Sequence, residues 1–295
     1  MLLSTTAIVF VVIVTIEVII IVMGNAFTIF VFWTQRLRLK RTFLLLINLA
    51  VADLFAGLGE ALVLATNTIP NDGNEIFELE SPWLAFQAFG SSMSVLFLAL
   101  ISLERVYSVL WPFRHRVTST RAYIYGIVIA WVIGLAMGGV WLVKIYLNDT
   151  LYVSLTYSSG LFISLSVICA SYLTIRSRLQ NITPDHDLDV RRKASSREKT
   201  LRMSITFFIV VAVSLVYWLP TFVMFTVIEF CSCFSPPAVG FVTVLLCANS
   251  LVNPFVYSFR MPIFQDTLRK CCKKRQQTIE LRAVLEKPHS TKCNL

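Results

Sequence analysis

Seven stretches of the chain are apolar almost without interruption, each long enough to cross about 30 Å of hydrocarbon as a helix of ~20 residues. They lie near 7–33, 42–66, 84–111, 122–145, 151–175, 203–228 and 238–259, with only a very short loop between the fourth and fifth. The pattern predicts an all-α membrane protein: a seven-transmembrane helix bundle over 1–260, with no room for a separate soluble domain. After the bundle, 261–272 reads as a short amphipathic helix lying on the membrane, with Phe264, Leu268, Cys271 and Cys272 on one face. Residues 273–295 read as a disordered cytoplasmic tail.

The seventh stretch is broken by Asn249, Ser250, Asn253 and Pro254, with Tyr257 three residues after the proline. Proline cannot donate the helical hydrogen bond, so it frees a backbone carbonyl and makes a weak point where a helix can bend. Asparagines beside it can re-satisfy freed groups or hold a water or an ion. The sixth stretch carries a second such point, Trp218-Leu219-Pro220. Polar and ionisable residues recur inside other spans: Asn25 after Gly24, Asp53 mid-span, Glu60 further along the same span, Glu104-Arg105 closing the third, and Trp131 in the fourth. Such groups are costly in a bilayer and mark functional positions by default.

Composition excludes a soluble fold. With 56% hydrophobic and 15% charged residues, the apolar surface could not be covered. The net charge of +9 reports topology, not nucleic-acid binding. Basic residues crowd into 36–41, 114–121, 176–202 and the segment after Arg260, whereas Asp72, Glu75, Glu78, Glu80, Asp149 and Glu229 lie on the other side with Lys144. The positive-inside rule makes the basic loops cytoplasmic and places the N-terminus outside, in a multi-pass plasma-membrane protein. The basic loops would also attract anionic lipid. The first apolar run is too long, and lacks the basic start, for a signal peptide. Asn148-Asp149-Thr150 is then an outer-side glycosylation sequon, while Asn181-Ile182-Thr183 faces the cytoplasm. Cys271 and Cys272, juxtamembrane and flanked by lysines, are palmitoylation sites by the same logic.

These motifs, one set per span and in order, resemble those of the rhodopsin-like (class A) G-protein-coupled receptors over the whole chain: Gly24-Asn25, Leu49 to Asp53, Glu104-Arg105-Val106, Trp131, Trp218-Leu219-Pro220 and Asn253-Pro254-Phe255-Val256-Tyr257. The resemblance implies a receptor that turns extracellular ligand binding into activation of a heterotrimeric G-protein, with arrestin and receptor kinases as further partners. It implies that Asp53, Ser94, Asn249, Ser250 and Asn253 line a cavity for an allosteric sodium ion, the only cofactor expected. Arg105 would pair with Glu104 at rest and release to meet the G-protein, supported by Tyr172 and Tyr257, as Trp218 and Pro220 let the sixth helix swing. The ligand pocket carried over is Glu60, Gln87, Ser91, Trp218, Phe222, Phe225 and Thr243, with Glu60 as the intramembrane acid available to it.

Several departures qualify the match. Glu80 stands where the family's third-helix cysteine would be, and the loop 144–151 has no cysteine. Cys231 and Cys233 instead sit in the third outer loop, where a link to Cys247, or free thiols, must be considered. Ser164 replaces the fifth-helix proline, Ser214 replaces the aromatic behind Trp218, and Thr200 supplies no acid to lock Arg105, so basal activity is expected. These losses resemble the melanocortin, lysophospholipid, cannabinoid and adenosine branch, with a melanocortin-like third outer loop. Gln87 gives a protonated amine no counter-ion and Cys247 gives retinal no lysine, which favours a lipid, a small neutral molecule or a peptide. The competing classes are a transporter, although no internal repeat is present, and a constitutively active receptor with no dedicated ligand. An enzyme is not expected: His115, His186 and His289 fall in loops or tail without metal-ligand spacing.

Overall fold

The computed structural model describes residues 5–34, 41–68, 82–147, 150–180, 209, 212–224, 226–227, 231, 235–260, 264–267 and 269. Asn148, Phe225, Cys233, Cys271 and Cys272, with Glu80 and Thr200, lie outside them. Long uninterrupted apolar sequence gives long helices, because every backbone polar group must be satisfied within its own segment in lipid. The helices are α1 (Thr5–Thr34), α2 (Arg41–Thr68), α3 (Pro82–Leu110), α4 (Pro112–Val117), α5 (Thr120–Leu147), α6 (Thr150–Gln180), α7 (Ala212–Met224) and α8 (Pro236–Arg260). Six of them are long and apolar enough to cross a membrane, and α7 is the described apolar helical stretch within the expected sixth span. No strand occurs among the described residues.

The surface apolar residues show which side of each helix meets lipid. Ile16, Ile19, Met23 and Phe30 on α1, and Ile129, Val132 and Leu135 on α5, are all exposed. In contrast α3 is the central pillar: 72% of its most apolar window is buried, against 17% for α1. It packs on α2, α5 and α6, while α1 packs on α2 and α8. Gly90 permits the tightest approach to a neighbouring backbone, since a Cβ there would stand 2.3 Å from the Ala56 backbone nitrogen of α2. Gly24 does the same for α1 and α8, where an added Cβ would sit 3.1 Å from the Pro254 ring.

Two features bear on the replaced fifth-helix proline and the missing bridge. Ser164 donates to the Gly160 carbonyl at 2.9 Å and α6 runs through unbroken. Only two residues separate α5 from α6, which accounts for the very short second outer loop. Cys231 is in a disulfide whose partner lies outside the described residues, whereas Cys247 is free and buried. The link from the third outer loop to Cys247, which the spacing left open, is therefore not made.

The segment 264–267 is helical, with Phe264 and Thr267 buried and Asp266 exposed. Phe264 wedges edge-on against Phe27 and Phe32 of α1, 6.0 and 5.4 Å between ring centroids. Gln265 donates to the Phe259 carbonyl at 2.8 Å, tying the segment back to the end of α8.

Candidate functional site

At mid-bundle the polar residues of four helices meet. Asp53 of α2 is fully buried, and its carboxylate accepts from Ser94 Oγ of α3 at 2.7 Å and from Asn253 Nδ2 of α8 at 2.8 Å. The Ser250 hydroxyl also bonds to it. Asn249 Nδ2 reaches Ser94 Oγ at 3.5 Å. All five residues expected around a sodium ion thus share one buried cluster. Their oxygens form a hard donor set of the kind a small cation takes. The side-chain carbonyl oxygens of Asn249 and Asn253 are buried without hydrogen-bond partners, leaving acceptors for a cation or water. The residues present fit the ion.

The carbonyl freed by Pro254 is that of Ser250, one helical turn earlier. Its donor comes from another helix. Asn25 Nδ2 of α1 donates to Ser250 O at 3.1 Å and to Ile21 O of its own helix at 3.0 Å. Of the two roles open to the asparagines beside the proline, they take the one at the polar cluster, turning toward Ser94 and Asp53 and leaving the freed carbonyl to Asn25. Gly24 matters here because the Pro254 ring fills the space its side chain would occupy. Gly24-Asn25 and Asn253-Pro254 are therefore two halves of one joint. Trp131 of α5 adds a further tie, donating to Asn48 Oδ1 of α2 at 2.9 Å.

At the end of α3 that carries the basic loops, Glu104 and Arg105 form a buried ion pair, with Arg105 Nε donating to Glu104 Oε2 at 2.5 Å. The other glutamate oxygen accepts from His115 Nε2 of α4 at 2.8 Å and from Tyr123 OH of α5 at 3.4 Å. Sequence reasoning passed over both residues: His115 carried no ligand spacing, and Tyr123 read as one more aromatic in a span. Tyr172 accepts from Arg176 Nη1 one turn along α6, at 3.2 Å. Tyr257 is buried between Phe32 and Phe264, its hydroxyl without a partner.

In the other half of the bundle, Gln87 of α3 donates through Nε2 to Glu60 Oε2 of α2, and both are buried. Cys247 of α8 bonds to Glu60 as well. Glu60 has acidic company that the sequence reading missed: Glu17 of α1 is near enough to act on it electrostatically, with one carboxylate oxygen buried and unpartnered. A single glutamate in a run of isoleucines and valines was the available signal. Ser91 is buried on α3, and Thr243 donates to the Val239 carbonyl of its own helix at 3.1 Å. Trp218 is 1% exposed and clusters with Val95, Tyr157 and Leu161; Phe222 packs on the same cluster, its ring 6.1 Å from Phe162.

A bundle of apolar helices with a buried carboxylate at its centre, a proline hinge beside it and a buried Glu-Arg pair at one end defines a seven-helix membrane receptor. The chain belongs to the 7 transmembrane receptor (rhodopsin) family, which it matches over residues 24–150 and 144–257. It is a G-protein-coupled receptor and a multi-pass membrane protein. It is similar to lysophosphatidic acid receptor 1 of Bos taurus, 27% identical over 256 residues, covering 79% of this chain and 68% of that one. It is also similar to neuropeptide Y receptor type 4 of Mus musculus, 27% identical over 281 residues, covering 83% and 74%. A shorter match, 34% over 116 residues, joins it to neuropeptides B/W receptor type 1 of Rattus norvegicus, covering 38% and 33%. The lysophospholipid receptors are among the branch the departures resembled.

Proposed function

We propose that this receptor takes its ligand in the half of the bundle that holds Glu60, Gln87, Ser91, Trp218, Phe222, Phe225 and Thr243, and passes the signal out through Arg105. The ligand is a lipid, a small neutral molecule or a peptide in preference to an amine. A lining that sets three aromatic side chains, Trp218, Phe222 and Phe225, beside four polar anchors supports this, as do relatives named for a lysophospholipid and for a neuropeptide. The N-terminus lies outside in the plasma membrane, Asn148 is glycosylated, and Cys271 and Cys272 are palmitoylated. Arrestin and receptor kinases follow the G-protein at the cytoplasmic face. The chain catalyses no reaction of its own. Residues 1–260 form the receptor bundle, 261–272 its membrane-surface helix and 273–295 the tail.

The observation that carries the mechanism is the buried Glu104–Arg105 pair on α3, the helix whose Ser94 also joins the Asp53–Asn253 cluster. At rest Arg105 is neutralised inside the protein. A ligand that shifts α7 and α8 alters the packing that encloses it, and the released guanidinium becomes available to the G-protein. A bound sodium ion would add a positive charge between Asp53, Ser94 and the α8 asparagines, holding them in the resting arrangement. Tyr257, whose hydroxyl is unpartnered, is the group left to meet Arg105 once it moves. The test is guanine-nucleotide exchange on a panel of purified G-proteins in membranes of expressing cells. Exchange above mock membranes, abolished by Arg105→Ala at equal surface expression, supports the proposal. Exchange unaffected by Arg105→Ala overturns it.

A further inference from the structure

The Glu104–Arg105 pair is half of a larger arrangement. Just after α3, Trp111 ends the helix and Pro112 opens α4, whose single turn is set by the His115 N–H bonding to the Trp111 carbonyl at 2.9 Å. That turn aims the His115 ring back at α3. The ring lies edge-on against Tyr107, 5.8 Å between centroids. Its Nε2 stands 2.8 Å from Glu104 Oε1 and 3.1 Å from Tyr123 OH. The two oxygens of Glu104 are thereby divided, one toward Arg105 and one toward His115 and Tyr123.

The same short connection is pinned from its far side. Arg41 of α2 donates to the carbonyls of Arg116 and Thr118, and its guanidinium sits 5.8 Å over the Tyr123 ring. Tyr107 OH and Thr118 Oγ1 are hydrogen-bonded at 3.1 Å. The geometry therefore fixes His115 independently of Arg105.

We infer that His115 is a positioning residue of the activation switch, a second partner that keeps Glu104 when Arg105 leaves. This rests on the reading of Arg105 given above. Removing one partner from a buried ion pair is costly chiefly because the other charge is left uncompensated. His115 and Tyr123 supply that compensation, so Arg105 departs without stranding a carboxylate in the protein. The compensation is strongest when the imidazole carries a proton, and histidine is the side chain that ordinarily changes charge between pH 5 and 8. Among the described residues, the charged and titratable groups around it are Glu104, Arg105 and Tyr107 of α3, Arg41 of α2, Tyr123 of α5, and the exposed Arg114 and Arg116 of its own helix. Glu104 is the one acid among these. Protonation therefore adds a cation that competes with Arg105 for Glu104. Release becomes easier as cytoplasmic pH falls and harder as it rises.

The experiment is nucleotide exchange on purified G-protein by the full-length receptor in lipid nanodiscs, at pH 6.5 and 8.0, each rate divided by that of G-protein alone. The variants are His115→Phe, which keeps the ring against Tyr107, His115→Gln, which keeps a neutral donor, and Glu104→Gln. Wild-type exchange is expected to be several-fold higher at pH 6.5. His115→Phe should lower exchange about tenfold at pH 6.5, the effect of losing one charge-assisted hydrogen bond. His115→Gln should recover part of that rate with no pH dependence, and Glu104→Gln should also lose the pH dependence. Exchange that Arg105→Ala abolishes but His115→Phe leaves unchanged or raises overturns the role of the histidine alone. A wild-type rate flat with pH, or silent at both values, overturns it as well. Exchange that survives Arg105→Ala overturns the switch itself.

Discussion

Replacing Asn25 with alanine should destabilise the receptor through a carbonyl on a different helix. Two hydrogen bonds disappear, to Ile21 O at 3.0 Å and Ser250 O at 3.1 Å. The first loss is mild, because a carbonyl inside α1 keeps its helical donor. The second is not, because residue 254 is proline and offers Ser250 no N–H. Leaving a buried acceptor unsatisfied costs about 1–3 kcal/mol, and measured bonds between membrane helices average nearer ~0.6 with a maximum of ~1.7. We therefore expect a loss of about 1–2 kcal/mol, read as a fall of a few degrees in the thermal denaturation midpoint in detergent. The decisive comparison is a double-mutant cycle with Pro254→Ala, which restores a helical donor to Ser250. In that background Asn25→Ala should cost roughly 1 kcal/mol less, a coupling within the usual range for residues sharing a partner. Strictly additive effects would refute the idea that Asn25 serves the carbonyl freed by the proline.

Sodium chloride should raise the denaturation midpoint relative to choline chloride, and Asp53→Ala should remove the difference. At five times its dissociation constant a ligand of the folded state contributes roughly 1 kcal/mol, so a sodium-insensitive wild type speaks against the ion site. Gly90→Val forces a Cβ to within 2.3 Å of the Ala56 backbone, where no flexible side chain can give way. That variant should lose about 3 kcal/mol or more and much of its monodisperse yield on size exclusion, as overpacking does. Gly139→Val in α5, which meets nothing within 4 Å, should retain both. Equal behaviour of the two glycines would show that α2 and α3 do not approach as closely as described.

The helices were legible in the sequence because lipid leaves the backbone few options. Runs of the right length between basic loops place α1, α2, α3, α5, α6 and α8 to within a few residues. The Asp53 cluster was legible through the family resemblance: buried polar residues mark each span as needing a reason, but it is the matching motif positions that group Asp53, Ser94, Asn249, Ser250 and Asn253. What the sequence did not display was partnership across helices. Asn25 marked a motif, but nothing in α1 says that its amide serves a carbonyl more than two hundred residues away. His115 looked like a surface residue of a basic loop, and only the fold of α4 turns it onto Glu104. Glu17 was hidden inside the most hydrophobic run of the chain, its closeness to Glu60 a product of how α1 packs on α2. Cysteine spacing left Cys231 a link to Cys247 or a free thiol, and neither holds: Cys231 is bonded, and Cys247 lies buried and free.

The claim that Arg105 is held silent by Glu104 is tested most directly by nucleotide exchange in the absence of any ligand, comparing wild type with Glu104→Gln and with Glu104→Gln combined with Arg105→Ala. If the buried pair is the restraint, the single substitution raises exchange about tenfold, the equivalent of ~1.4 kcal/mol, and the double returns it to the level of mock membranes. A Glu104→Gln receptor no more active than wild type, or a double variant that stays active, would contradict the account.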